Sequence, residues 1–232
     1  MAAPPIYYDL DEPQMAQLKV IEEILKNTRF PRSKTKNNYK KSTGYGESEG
    51  FGFIRRRGRV PGPCQRNKKY PELWLELQKL GALIPIQYDA VQVNLNCTCD
   101  EHRDKGNLGL SLLISGGDYR GGELKTEHGN FDAKYRGVLF DGSKIMHSNT
   151  PIIRGWKFTL VFFTIEITSR YKQFFPDNFR QLYPYYKDRF LETIPEHLLV
   201  FDPNGRKPRT KTKPIVENAT QGTEEGPSIS QV

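Results

Sequence analysis

Three side chains in this 232-residue chain have the types and spacing of a metal site. His102 and Asp104 are separated by one residue, and His147 follows later in the chain. Side chains at i and i+2 of a strand point to the same side, so His102 and Asp104 can converge on one ion if their segment is extended. Two imidazoles and one carboxylate cover one face of an ion and leave the other open, which suits Fe(II) with exchangeable ligands.

A strand that could hold an anionic cosubstrate follows the second histidine. Residues 156–164, WKFTLVFFT, are rich in aromatic and β-branched types and predict a buried strand. Lys157 and Thr159 share one of its faces. If this strand pairs antiparallel with the strand that ends at His147, Lys157 points into the metal cavity, some residues deeper. There its ammonium group could bind a dicarboxylate.

Arg154 is a second cation close to the same cavity. It adjoins Gly155, where the chain is predicted to turn before the Lys157 strand. Its side chain is therefore expected to face solvent or substrate. Lys157 is preferred as the anion anchor, and Arg154 is assigned to the substrate.

The strand that precedes the His-x-Asp pair alternates between apolar and polar residues. In VQVNLN, residues 91–96, the polar set is Gln92, Asn94 and Asn96. A period of two normally places such a set in solvent, but in a small barrel with a ligand pocket it can line the cavity. These three amides have the same sequence parity as His102 and Asp104. They are predicted to contact the cosubstrate.

The ordered motifs resemble the 2-oxoglutarate-dependent Fe(II) dioxygenases over roughly residues 85–165. In sequence order they are His-x-Asp, then GDYRGGEL at 117–124, then a histidine followed by proline, glycine and lysine, and last an LVFF strand. The resemblance implies a mainly β fold with flanking helices, a double-stranded β-helix of the jelly-roll or cupin type.

The resemblance also implies a role for each site residue. His102, Asp104 and His147 would hold Fe(II), and Lys157, with help from Thr159, would bind the distal carboxylate of 2-oxoglutarate. Lysine at this position is the pattern of the collagen enzymes in the prolyl 4-hydroxylase branch. The reaction implied is hydroxylation that consumes O2 and converts 2-oxoglutarate into succinate and CO2. Ascorbate is a further candidate cofactor.

A second resemblance points to another branch of the same superfamily. The run HRDKGNLGLSLLIS is similar to the His-Arg-Asp-x-x-Asn segment of the Tet and J-binding-protein DNA oxygenases. Three functions therefore stay open. The first is a nucleic-acid base oxygenase, the second a prolyl-type protein hydroxylase, and the third a jelly-roll binding protein without catalysis.

Charge favours an acidic macromolecular partner. The net charge is +8 and the isoelectric point is near 9.3. Such a balance attracts nucleic acid, DNA or RNA, although a basic run can also be a solvated loop. Aromatic residues interleaved with the basic cluster could stack on bases. The predicted substrate contacts are Arg55, Arg56 and Arg57. The same cluster includes Arg59, Arg66, Lys68 and Lys69, and the aromatic residues considered for stacking are Tyr45, Phe51 and Phe53.

The remaining patterns outline one domain over residues 1–201. Helical spacing predicts helices over 13–27 and 71–80, the second beginning at Pro71 and ending at Gly81. The Gly-rich basic stretch 28–63 is predicted to be a loop or lid, and strands are predicted over 88–97 and 108–116. The expected divisions are helical and lid elements at 1–84, a catalytic β core at 85–168, a packing segment at 169–201 and a disordered tail at 202–232.

Composition argues against several other classes. No apolar run reaches the length of a membrane helix, and the N-terminus lacks the pattern of a signal peptide, so an intracellular protein without membrane contact is expected. Three cysteines do not indicate a disulfide framework. Cys97, Cys99 and His102 could form part of a zinc site, but the iron assignment explains the same histidine better.

Overall fold

The computed structural model describes residues 2–30, 46–54 and 61–166. Most of the named elements are strands, and none of the helices in these ranges is both long and apolar enough to cross a membrane. In chain order the elements are β1 (Ile6–Tyr8), α1 (Glu12–Asn27), β2 (Glu47–Ile54), β3 (Gly62–Pro63), α2 (Arg66–Lys69), α3 (Pro71–Leu83), β4 (Ala90–Leu95), β5 (Asn107–Gly116), β6 (Tyr119–Gly121), β7 (Leu124–Thr126), β8 (Gly129–Phe131), β9 (Gly137–Phe140), β10 (His147–Asn149), β11 (Ile152–Gly155) and β12 (Phe158–Ile165).

The larger sheet has seven strands in the order β1-β9-β5-β12-β4-β2-β3. Its named pairs are antiparallel, and the central strand β12 pairs with both β4 and β5. Helices α1 and α3 supply much of the apolar core that covers one face of this sheet. The side chains of that core are aliphatic and aromatic and include Leu18, Leu77, Val93, Phe158 and Leu160.

The smaller sheets are β10-β7-β8 and β11-β6. A second apolar cluster joins the β10-β7-β8 sheet to the larger sheet, because it contains Leu124 of β7 together with Leu113 of β5 and Phe140 of β9. The resulting architecture is two antiparallel layers with flanking helices. The prediction of a mainly β fold with flanking helices is confirmed.

Local signals explain where the two longer helices begin. Asp11 is the N-cap of α1, and its carboxylate accepts from the Gln14 backbone N–H at 2.8 Å while the Gln14 side chain accepts from the Asp11 N–H. Pro71 occupies the first turn of α3, where its missing N–H is not needed. The predicted end at Gly81 is wrong, because α3 continues to Leu83. Gly81 is instead a packing position: a Cβ there would lie 2.0 Å from the Tyr88 hydroxyl.

Part of the predicted lid is a strand. Residues Glu47–Ile54 form β2 and pair with β4, so the prediction of a loop over 28–63 is wrong for this stretch. Phe51 and Phe53 are buried at 0% and 3% exposure, and Phe51 stacks on Trp74. They cannot stack on bases. Tyr45, the arginines at 55–57 and Arg59 lie outside the described residues, as do the predicted segments 169–201 and 202–232.

The strand that follows Lys157 does not pair with the His147 strand. β12 lies between β4 and β5 in the larger sheet, whereas β10 pairs with β7 in a smaller one. The predicted turn at Arg154 and Gly155 is also wrong, because both residues belong to β11 and pair with β6. Sequence periodicity identifies strands but not their partners, which depend on contacts distant in sequence.

Candidate active site

The predicted metal ligands converge in the structure. One ligand atom from each of His102, Asp104 and His147 lies within 4.8 Å of the other two. The Asp104 carboxylate faces both rings, with His102 Nε2 at 3.4 Å from Oδ1 and His147 Nε2 at 3.6 Å from Oδ2. Two imidazole nitrogens and a carboxylate are suitable donors for Fe(II).

Backbone hydrogen bonds hold these ligands in place. His102 and His147 form an isolated antiparallel bridge in which each N–H donates to the carbonyl of the other at 2.9 Å. The Asp104 N–H donates to the Gly142 carbonyl at 2.8 Å. Gly142 also leaves room beside the carboxylate, because a Cβ there would lie 3.1 Å from Asp104 Oδ2. The site is therefore assembled by main-chain pairing between segments that are remote in sequence.

The two histidines are oriented for coordination through Nε2. The Nδ1 of His102 donates to the Asp100 carbonyl at 2.7 Å, and the Nδ1 of His147 donates to the Ile145 carbonyl at 2.9 Å. A backbone acceptor at Nδ1 fixes the tautomer and leaves Nε2 facing the carboxylate. The donor set thus fits a divalent metal ion.

Asp104 and His102 shift the pKa values of one another. A hydrogen bond that the His102 ring donates to the Asp104 carboxylate raises the pKa of His102 to about 10. Burial alone would raise the pKa of Asp104, but hydrogen bonds from His102 and His147 outweigh it and hold that pKa below its usual range. An imidazole must be deprotonated at Nε2 to bind a metal, so an ion held by His102 would have to displace the proton that Asp104 stabilises there.

Lys157 is a buried cation directly before β12. Its side chain is 3% exposed, its ammonium donates to the Gly122 carbonyl, and it lies 5.3 Å from the centre of the Tyr119 ring. Burial lowers the pKa of Lys157 to about 8. It lies two residues before Thr159, which lines the cavity, but Lys157 itself precedes β12 and is not among the lining residues. Its assignment as the anion anchor therefore stays a prediction.

The cavity has a volume of about 230 Å³ and lies between the two layers. It contains the three candidate ligands together with Thr159 and two of the predicted amides, Gln92 and Asn94. Four polar residues not assigned to the iron site from sequence also line it: Cys97, Cys99, Asn107 and Asn149. The Asn107 amide lies 3.4 Å from Asp104 Oδ2, and the thiol of Cys99 lies 3.0 Å from the Asn149 carbonyl oxygen. The HRDKGN run was the available signal for Asn107.

Asn96 does not line the cavity, contrary to the prediction. β4 ends at Leu95, and Asn96 has a positive φ of 49°, so alternation stops before it. Its side chain accepts from the Lys157 N–H at 2.8 Å, and its own N–H donates to the Lys157 carbonyl. Asn96 thus supports the backbone from which the lysine projects.

Of the predicted substrate arginines, the structure describes Arg154 but not those at 55–57. Arg154 is exposed on β11, directly opposite Arg120 on β6. The cavity lining does not include it. The predicted contacts at 55–57 lie outside the described residues, so their role stays a prediction.

Comparison with known proteins gives likenesses of fold. No family model and no curated protein sequence matches the chain. NgTET1 in complex with 5mC DNA is 14% identical, with a TM-score of 0.48, and the match covers 70% of this chain and 72% of that one. An oxidoreductase of the 2OG-Fe(II) oxygenase family from Burkholderia pseudomallei is 16% identical, with a TM-score of 0.45 and coverage of 66% and 79%.

A prolyl hydroxylase from Trichoplax adhaerens, in complex with a hypoxia inducible factor peptide fragment, is 14% identical, with a TM-score of 0.41 and coverage of 69% and 82%. The chain is thus similar to proteins whose named ligands are DNA in one case and a peptide in another. Any assignment of function must therefore be argued from the side chains of the site.

Proposed function

We propose that this protein is an Fe(II)/2-oxoglutarate-dependent dioxygenase that hydroxylates a macromolecular substrate. One observation carries the proposal: the His-Asp-His cluster opens into a cavity between two β layers, and a buried lysine lies two residues before Thr159, which lines that cavity. A metal-binding cluster alone would suit many functions. Lys157 is 3% exposed, and no carboxylate among the described residues forms an ion pair with its ammonium; such burial is costly unless an anionic ligand pairs with the charge.

Each group has a distinct role in this proposal. His102, Asp104 and His147 would hold the iron, and Lys157 would pair with the distal carboxylate of 2-oxoglutarate beside the Thr159 hydroxyl. Bound iron supplies the redox chemistry that couples decarboxylation of the cosubstrate to oxidation of a substrate C–H bond. The overall balance is substrate, 2-oxoglutarate and O2 giving hydroxylated substrate, succinate and CO2. The protein positions the two organic molecules and limits access of water.

For the substrate we favour a base in a nucleic acid. The net charge of +8 favours a polyanion, and the polar wall of the cavity offers amide groups that can pair with a base. An enzyme that modifies a base in a duplex must first extrude it, which single-stranded substrates make unnecessary. A peptide substrate is the competing outcome.

The deciding experiment measures succinate release with several substrate pools side by side. The pools are single-stranded DNA, duplex DNA, RNA, and basic or proline-rich peptides, each with iron, 2-oxoglutarate, O2 and ascorbate. We expect stimulation by nucleic acid above the substrate-free rate. Stimulation by peptides alone would replace the nucleic-acid proposal with protein hydroxylation. No 2-oxoglutarate turnover in any pool would overturn the dioxygenase proposal itself.

The basic segment before β3 can be tested in the same preparation. Replacement of Arg55, Arg56 and Arg57 by alanine should weaken binding of all nucleic-acid sequences alike. It should also lower the slope of log affinity against log salt by up to about one unit per lost phosphate contact. Unchanged affinity and slope in the triple variant would remove these arginines from the proposed interface.

A further inference from the structure

A second groove continues from the metal cavity. It has a volume of about 520 Å³ and shares three lining residues with the cavity: Gln92, Asn107 and Phe163. Its other described lining residues are Gly50, Ile54, Lys105, Gly106 and Ile165. The groove thus has apolar side chains, two glycines that add no bulk, two amides and one cation. This composition suits a flat ring with a hydrogen-bonding edge and a nearby negative charge.

A hydrogen-bonded chain sets the polarity of the amides on this wall. Gln92 Nε2 donates to Ser48 Oγ at 2.6 Å, and Ser48 Oγ donates to Asn94 Oδ1 at 2.7 Å. Because the hydroxyl proton of Ser48 is directed to Asn94, its oxygen can accept from Gln92. The carbonyl oxygen of Gln92 is then left on the opposite side of its amide. Its direction is set by a residue on the neighbouring strand.

Gly50 provides the space next to that oxygen. It lies opposite Gln92 in the β2–β4 pairing, and a Cβ there would lie 3.4 Å from Gln92 Oε1 and 3.7 Å from Ile54. With glycine, that side of the wall stays open to the groove. Ser48, Gly50 and Ile54 have the same parity on β2, so one face of this strand forms the wall.

We infer that this groove binds a base with an exocyclic amino group, cytosine or adenine, and that Gln92 Oε1 accepts a hydrogen bond from that group. This inference rests on the proposed function. Ser48 is a positioning residue: it holds the Gln92 amide with its oxygen toward the base. The ring would lie between Phe163 and the glycine wall, and Lys105 would face the phosphate backbone. A base with an oxo group in place of the amino group would place its oxygen against Gln92 Oε1, and contact between two hydrogen-bond acceptors is unfavourable.

The test uses oligothymidylates that carry one different base at the centre, because thymine has no exocyclic amino group. One matched pair contains cytosine or uracil, and the other contains adenine or hypoxanthine. Within each pair the amino group becomes an oxo group, and the adjacent ring nitrogen gains a proton. Affinity is measured by fluorescence anisotropy on the metal-free chain, so the readout does not depend on catalysis. Wild type should bind each amino base on the order of tenfold more tightly than its oxo partner.

Three variants assign the preference to the proposed chain of hydrogen bonds. Gln92→Leu should remove the preference, and Ser48→Ala should reduce it toward unity because the amide can then rotate. Ser48→Thr should restore it, since threonine keeps the hydroxyl and is compatible with a strand. The matched control is Glu49→Gln on the opposite face of β2, which should keep the full preference. Thermal melts confirm that each variant is folded.

The outcomes separate this inference from the proposed function. Equal affinity for amino and oxo bases in wild type, or no binding of either oligonucleotide, would overturn the inference. So would a preference that survives in Gln92→Leu. Succinate release is then measured with the same oligonucleotides. Preferential binding without succinate release would keep the recognition inference and overturn nucleic-acid hydroxylation. Succinate release that is equal for amino and oxo bases would keep nucleic-acid hydroxylation and overturn the recognition inference.

Discussion

The two faces of the larger sheet have opposite compositions, although they belong to the same strands. On β4 and β12 the face toward the helices is apolar and fully buried, and Val91, Val93, Phe158, Leu160 and Phe162 are all 0% exposed. The face toward the smaller sheets is mixed and lines the cavity, with Gln92, Asn94, Thr159, Val161 and Phe163 at the alternate positions.

This contrast separates stability from chemistry at the level of single residues. Side chains on the helix side contribute burial, which is the main favourable term in folding. Side chains on the cavity side keep polar groups away from water, which is unfavourable for folding unless partners or ligands compensate. Changes on the two faces should therefore have different consequences, one mainly for the free energy of unfolding and the other mainly for ligand binding.

The largest effect is expected at the metal ligands. His102→Ala and Asp104→Ala should each abolish 2-oxoglutarate turnover, because two donors are too few to hold the ion in the required geometry. The free energy of unfolding should change little, since these side chains are not part of either apolar cluster. Anaerobic Fe(II) titration and succinate release measure the first effect, and urea unfolding measures the second.

The control for the metal prediction is His128→Ala, because His128 is exposed and lies outside the cluster. It should keep normal turnover. Substrate-coupled succinate formation in both His102→Ala and Asp104→Ala would contradict the iron assignment.

The next effect tests the helix side of the sheet. Phe158 is 0% exposed, and its ring packs where a Cβ on Gly116 would come within 2.5 Å. Phe158→Ala should lower the free energy of unfolding by about 3–5 kcal/mol. Val161→Ala, on the cavity face of the same strand, should cost about 1 kcal/mol. Urea unfolding of both variants gives the comparison, and equal losses would show that the faces do not differ as proposed.

The third prediction separates Lys157 from Arg154 as the anion anchor. Loss of a buried charge partner typically costs ~3–5 kcal/mol, so Lys157→Ala should raise the 2-oxoglutarate requirement by about two to three orders of magnitude. Arg154→Ala should stay within about a few-fold of wild type, since Arg154 is exposed. The measurement is a 2-oxoglutarate titration of succinate release at saturating iron and substrate. The reverse pattern would transfer the anchor to Arg154.

The smallest effect concerns pH. Burial lowers the pKa of Lys157 to about 8, so the lysine is charged below this pH and loses its proton above it. A charged lysine is needed to bind a carboxylate, so 2-oxoglutarate affinity should fall as pH rises, by about fivefold between pH 8 and 9. The effect on the free energy of unfolding has the opposite sign. Between about pH 8 and 10.5 the lysine keeps its proton in the unfolded chain but not in the folded one, so the free energy of unfolding rises with pH.

Calorimetric 2-oxoglutarate titrations across this pH range measure the affinity, and Lys157→Ala is the control that should lose the lysine-dependent decline. A decline of equal size in that variant would assign the pH dependence to another group.

The sequence by itself determined the residues of the candidate site and the main elements around them. A His-x-Asp pair alone is common by chance, but its order with the GGEL segment, His147 and Lys157 indicated the site, and two-residue periodicity placed Gln92, Asn94 and Thr159 on one side of their strands. These features depend on local geometry. The helix over 13–27 was predictable for the same reason, because its apolar spacing is a local property.

Only the tertiary structure decided which strands meet. It placed β12 between β4 and β5, converted part of a predicted lid into β2, and thereby brought Ser48 into contact with two cavity amides. It also buried Phe51 and Phe53, which the sequence alone suggested as base contacts. Strand pairing joins residues far apart in sequence, and its choice depends on the packing of the whole sheet, so periodicity in one segment cannot determine its partner.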